Sequence, residues 1–160
     1  MTIVRRAKRS DVGDIARLAD QLAAAVADPL PRLSRAALEA ALFGRSRWSE
    51  CFLAVDGTVA VGYAIASRSF EAHTGKRQLR ITDLFVSDDA RRTGVGRELF
   101  GALATHARRL QCHELLWEVW RSNAPAYAFY ERLNAHHADE ISTMRIELSR
   151  APSASTDVML

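Results

Sequence analysis

ITDLFVSDDARRTGVGRELF, residues Ile81–Phe100, falls into three consecutive pieces. Residues 81–86 form an apolar run, with Ile81, Leu84, Phe85 and Val86 suited to a buried strand. Ser87, Asp88 and Asp89 make a polar turn. Arg91-Arg92-Thr93-Gly94-Val95-Gly96 then opens a helix with Val95, Leu99, Leu103, His106 and Leu110 on one face. The first N–H groups of a helix lack intrahelical partners, and the macrodipole is positive there. Glycines let a ligand approach that backbone, and Arg91, Arg92 and Arg97 add positive charge. The stretch therefore reads as an anion site suited to phosphate.

Three readings compete for it. A glycine-containing surface turn with a helix cap is the plainest. A dinucleotide site of Rossmann type would place a third glycine at 99, where this chain has Leu99, although Glu118 lies at the spacing of that motif's acidic residue. The third reading is a coenzyme A pyrophosphate loop. Arg91-Arg92-Thr93-Gly94-Val95-Gly96 resembles the acetyl-CoA loop of the GNAT N-acetyltransferases, Q/R-x-x-G-x-G/A. Arg91, Gly94 and Gly96 match it position by position. A second segment, Asn123 to Leu133 (NAPAYAFYERL), resembles the GNAT pattern N-x-x-x-x-x-F-Y-x-x-x-G through Asn123, Phe129 and Tyr130; Asn134 stands at the final glycine.

The surroundings fit one domain. A chain of 160 residues can bury a sizeable core, and 48% hydrophobic with 26% charged residues is ordinary globular composition. Of 22 basic residues 20 are Arg; they are scattered, and net +3 suits a polyphosphate ligand better than a nucleic-acid stripe. Cys51 and Cys112 form no metal or redox motif and read as buried thiols. No metal site is expected. His73, His113, His136 and His137 lack ligand spacing. MTIVRRAKRS has charge without a following apolar run, and no membrane span is visible; the expectation is a cytoplasmic protein with no nucleic-acid or membrane partner.

Taken in order, residues 2–6 predict a strand. Ser10 and Asp11 offer caps to a helix bearing Val12, Ile15, Leu18, Ala19, Leu22 and Val26, which Asp28-Pro29-Leu30-Pro31 ends. Ser34 caps a short helix that Gly44 stops. Cys51–Val55 and Thr58–Ser69 flank Asp56-Gly57, a hairpin signal. After the 81–100 stretch, Glu114–Val119 predicts a strand, residues 123–133 a helix with Asn134 as left-handed cap, and 141–148 a last strand. The order implies an α/β fold of the α+β mixed-sheet kind, mostly antiparallel, with helices on both faces. It too resembles the GNAT acyl-CoA N-acyltransferase fold. The domain is read as 2–148, with a tail at 149–160.

The resemblance implies acetyl-CoA as co-substrate and a primary amine as acceptor. It implies a parallel pair of strands, 81–86 and 114–119, that splay to admit the cofactor. Leu84, Phe85, Val86, Arg91, Arg92, Thr93, Gly94, Val95, Gly96, Arg97, Asn123, Ala126 and Tyr130 would contact coenzyme A, and homodimerisation is a family-level expectation. Tyr130 would act as general acid toward the leaving thiolate, against a plain packing role. Asp83 is the base candidate, with Glu118 and ordered water as alternatives; Thr82, one position earlier, cannot serve. Trp117 and Trp120 divide between core and acceptor pocket. The pattern is nearest the diamine acetyltransferase branch. Yet residues 67–80 carry Arg68, Lys76, Arg77 and Arg80 against Glu71, and 27–50 are net +1, so an amine bearing a carboxylate fits better than a polycation. A binding-only coenzyme A or effector domain and a protein N-terminal or lysine acetyltransferase are the alternatives.

Overall fold

The computed structural model describes residues 1–26, 34–138 and 143. The Asp28–Pro31 break, the strand expected at 141–148 (Thr143 apart) and the tail lie outside the described residues. The chain gathers into two compact units, Met1–Glu118 and Val119–Leu160.

In the first unit β1 (Thr2–Arg6), β2 (Glu50–Asp56), β3 (Val59–Glu71), β4 (Lys76–Val86) and β5 (Glu114–Trp117) form one sheet in that spatial order. β1 to β4 pair antiparallel; β4 and β5 are parallel. α1 (Val12–Ala25) and α2 (Arg35–Phe43) cover one face, around Ile15, Leu18, Leu38, Leu42, Leu53 and Tyr63. α3 (Val95–Arg109) covers the other through Val95, Leu99 and Leu103, packed on Phe52, Ala64 and Leu79. This is the mixed, mostly antiparallel sheet flanked by helices that the element order predicts.

One local expectation needs correction. Asp11 stands at the α1 N-cap, but its carboxylate does not cap the helix: it takes two hydrogen bonds from Arg5, at 2.7 and 2.9 Å, and one from the Lys8 N–H. Those bonds, two of them from a guanidinium fork, occupy the carboxylate in place of a cap. Gly44 ends α2 as expected, at φ −69°; a β-carbon there would lie 2.4 Å from the Ala40 carbonyl, so the glycine provides space. Ser34 caps α2 as expected, accepting from Ala37 N–H at 3.3 Å.

β4 is longer than its apolar run, beginning at Lys76, because its polar half pairs with β3 and β5. Register also shifts within it: Ile65 faces Asp83 while Ala66 faces Ile81, leaving Thr82 as an extra residue. Such a bulge reverses the in-out alternation. Leu79 and Ile81 enter the α3-side core, and beyond the bulge so do Leu84 and Val86, while Phe85 joins the α1/α2 side.

In the second unit α4 (Ala124–Glu131) is capped by Asn123, whose Oδ1 accepts from Ala126 N–H at 3.2 Å. Pro125 sits in the first turn, where its missing N–H does no harm. Asn134 closes the helix end in the left-handed region (φ 59°), as expected.

Candidate active site

The 81–100 stretch becomes the end of β4, a short 3-10 turn at Asp88–Ala90, a loop, and α3. Arg92 and Gly94 both have positive φ, 63° and 98°, and the rise into α3 follows at once. Alternation of this kind turns successive N–H groups into a concave nest for an anion. Gly94 is the α3 N-cap, and among the described residues no side chain caps the helix; its first intrahelical bond beyond the cap is Glu98 N–H to the Gly94 carbonyl, 3.1 Å. The N–H groups of Val95, Gly96 and Arg97 thus precede the helical ladder. Thr93 Oγ donates to the Ala90 carbonyl at 2.6 Å and fixes the loop from within. A β-carbon on Gly94 would meet nothing within 4 Å, so the loop is open on that side.

β4 and β5 pair only where Gln78–Ile81 meet Glu114–Trp117. Among the described residues no strand pairs with the outer edge of 82–86. An unpaired edge inside a sheet leaves backbone donors and acceptors for an extended ligand. The bulge at Thr82 stands where this edge begins.

Asp83 follows the bulge. It is half-buried, in the row Cys51–Ile65–Asp83 across β2, β3 and β4. Burial pushes its carboxyl above the usual carboxylate range. Burial also raises the Cys51 thiol, to about 12, and the charge of Asp83, two strands away in the same row, adds to that rise. Tyr63, two rows on, is pushed up by burial first and by Asp83 second. A carboxyl held back from ionisation next to an open edge is a sensible proton acceptor for a substrate. Glu118 is exposed and forms an ion pair with Arg80 at 3.6 Å.

Arg68 pairs with Glu50 at 2.7 Å, so two of the four basic residues at 67–80 are engaged in ion pairs among the described residues. Trp117 sits against Phe100 in the α3-side core, ring centroids 5.1 Å apart, whereas Trp120 is 68% exposed. Cys51 is buried and Cys112 only half-buried. In the second unit burial raises the Tyr130 phenol, and its ring packs edge-on against Phe129 at 5.1 Å. Tyr127 stacks on His137 at 5.4 Å, a packing role. His113 Nδ1 accepts from the Arg77 N–H.

Sequence reasoning missed one buried group. Glu50, 7% exposed in its side chain, meets His106 of α3, Arg6 and Arg68. Burial alone would raise its carboxyl; the Arg68 hydrogen bond, His106 and Arg6 outweigh it and hold it below the usual range. The available signals were a histidine on α3's apolar face and a glutamate opening an apolar strand. No group of three or more metal-ligating side chains exists among the described residues, and no described helix is long and apolar enough to cross a membrane.

The sequence profile of the acetyltransferase (GNAT) family matches residues 18–135. The chain belongs to that family, and it is an acetyltransferase. The thialysine N-epsilon-acetyltransferase of Bos taurus is 28% identical over 148 residues, covering 86% of each chain. An integron cassette protein from the mobile metagenome of V. cholerae is 26% identical, with a TM-score of 0.77 over 91% of this chain and 92% of that one. An aminoglycoside acetyltransferase from a soil metagenome, solved with sisomicin, shares the fold at 16% identity; its TM-score is 0.78 over 92% and 97% of the two chains.

Proposed function

We propose that the protein transfers the acetyl group of acetyl-CoA to a primary amine that also carries a carboxylate, by direct attack within a ternary complex. The observation that carries this is a juxtaposition in one segment. One turn and a short loop after β4, whose outer edge is unpaired from Thr82 among the described residues, comes a helix N-terminus that no described side chain caps, preceded by a left-handed nest. The nest fits a pyrophosphate, and the unpaired edge fits the amide-bearing pantetheine arm. Arg92, Thr93, Gly94, Val95, Gly96 and Arg97 would hold the phosphates. Leu84, Phe85 and Val86 would line the arm. Asn123, Ala126 and Tyr130 are assigned by their motif.

The chemistry then assigns roles. The amine loses a proton to Asp83, directly or through water, and its lone pair attacks the thioester carbon. The carbonyl electrons move to oxygen, where the N–H groups near Phe85–Val86 hold the oxyanion. Collapse breaks the C–S bond, and the departing thiolate takes a proton from the Tyr130 phenol. The products are the N-acetyl amine and coenzyme A.

The acceptor rests on two supports. The relative that is 28% identical over 148 residues is named for thialysine, an amine with a carboxylate on the same molecule. The β3–β4 hairpin carries a basic surplus, Lys76 and Arg77 beside the paired arginines. The test is thiol release from acetyl-CoA against a panel of thialysine, lysine, ornithine, spermidine, an aminoglycoside and a peptide N-terminus. A carboxylated amine should give the highest kcat/KM. Spermidine at the top would restore a diamine acceptor, and a peptide at the top a protein acceptor. No turnover with measurable acetyl-CoA binding would leave a binding domain.

A further inference from the structure

Arg91 is the loop residue that the motif offers to the phosphates, yet its side chain is turned back onto the strand it follows. Nε–H donates to the Val86 carbonyl at 3.1 Å. Nη1 pairs with Asp88 at 2.7 Å. The guanidinium carbon lies 5.6 Å from the centroid of the Phe85 ring, a cation–π distance. These contacts use the planar fork and its face together, which a lysine cannot reproduce. They also tie three things: the last carbonyl of β4, the turn before the nest, and an aromatic ring of the α1/α2-side core.

We infer that Arg91 is a positioning residue, which sets the end of β4 and the nest relative to each other and leaves phosphate recognition to the loop backbone and its other cations. The inference rests on the proposed coenzyme A site. As a surface pair, with side chains 49% and 83% exposed, Arg91–Asp88 contributes little to stability, so its effect is on geometry.

Asp88 separates this role from direct phosphate binding by sign. If Arg91 bound phosphate, Asp88 would compete for it, and D88N would leave coenzyme A affinity unchanged or tighten it. If Arg91 clamps, D88N loosens the clamp and weakens binding. The experiment titrates coenzyme A calorimetrically into wild type, D88N, R91Q, R91K and the D88N/R91Q double variant, with a melting curve for each. The expected pattern is about threefold weaker binding for D88N and about tenfold for R91Q, the range of a lost surface pair and a lost charge-assisted bond. The double variant should match R91Q, because both changes break one device. R91K should fall near R91Q.

Pantetheine, which carries no phosphate, gives a second reading as a competitor of acetyl-CoA turnover. Weaker inhibition of R91Q than of wild type supports the clamp; equal inhibition overturns it. Unchanged or tighter binding by D88N, or additive losses in the double variant, also overturns it. Should R91Q fail to fold, D88N alone decides by its sign. A wild type that binds no coenzyme A would remove the proposed function itself, a result visible before any variant is compared.

Discussion

The two ends of α3 are built on opposite rules. At its N-terminus backbone groups are left over: the cap is a glycine, no described side chain satisfies the first N–H groups, and the preceding loop is largely exposed. Toward its C-terminus polar side chains are drawn into ionic contacts. His106 meets the buried Glu50, which Arg6 and Arg68 also approach, and the helix ends in a closed cap in which Cys112 N–H reaches the Ala107 carbonyl at 2.9 Å. One end keeps a reserve of unmade hydrogen bonds and the other anchors the helix to three strands. The difference teaches that a cofactor site of this kind is marked by what the backbone withholds, and that the rigidity it needs is supplied elsewhere on the same helix.

The largest expected effect is at the anchored end. Glu50→Ala removes the carboxylate and leaves His106 facing a buried gap. Breaking a buried pair from one side is strongly destabilising, about 3–5 kcal/mol, and the exposed arginines can return to water, so the lower end of that range is expected. Urea unfolding measures it. Coenzyme A affinity of the folded fraction should be unchanged; a parallel loss of affinity would show that the two ends are not separable. The same group sets an acid limit. Its folded pKa is depressed, so the stability it contributes is present above its unfolded value, about 4.3, and is lost as pH falls through the folded value. Glu50→Gln should flatten that part of the acid unfolding profile.

Next comes Gly94→Asp at the open end. Space is not the obstacle, because nothing lies within 4 Å of the new β-carbon. Aspartate is strained at φ 98° and places a negative charge where a pyrophosphate would sit. Acetyl-CoA affinity should fall about 100-fold, with only about 1 kcal/mol of stability lost. Gly94→Asn carries the same strain without the charge and should recover most of the affinity. Equal affinities of the aspartate variant and wild type would remove the phosphates from the loop.

What the sequence displayed follows the same division. The open end was legible because its signals are local: the glycines, the arginines and the strand-to-helix change stand within twenty residues. The elements of the fold were legible too, through apolar periodicity and the Asp56-Gly57 turn. The start of β4 was not, since Lys76, Arg77, Gln78 and Arg80 show no apolar pattern of their own and are held as strand by pairing with β3 and β5. The bulge at Thr82 was equally hidden. I-T-D-L-F-V reads as one apolar run, and only pairing with β3 shows that Asp83 changes face. The Glu50–His106 pair joins residues far apart in sequence, which no local pattern announces.

The smallest effect tests the comparison most closely, because both ends of α3 contain a non-glycine residue in left-handed backbone. Arg92 precedes the helix at φ 63° and Gln111 follows it at φ 57°. Each pays about 1 kcal/mol for that conformation, which glycine avoids. Glycine gives back part of the gain through the greater freedom of the unfolded chain, so about 0.5 kcal/mol should remain at either position. At 111 the change also removes a side-chain hydrogen bond from Arg77, 2.9 Å long and exposed, which trims the gain slightly. Gln111→Gly should therefore raise the melting temperature slightly and leave coenzyme A affinity alone. Arg92→Gly should raise it by a similar amount and weaken affinity several-fold, since the site loses a cation while keeping the backbone shape. Arg92→Lys separates charge from conformation: it keeps the strain, so stability stays at the wild-type level, and it keeps most of the affinity. If Arg92→Gly bound coenzyme A as tightly as wild type, the strain at 92 would be as incidental to the ligand as the strain at 111. The distinction between an end that withholds and an end that anchors would then rest on the uncapped N–H groups alone.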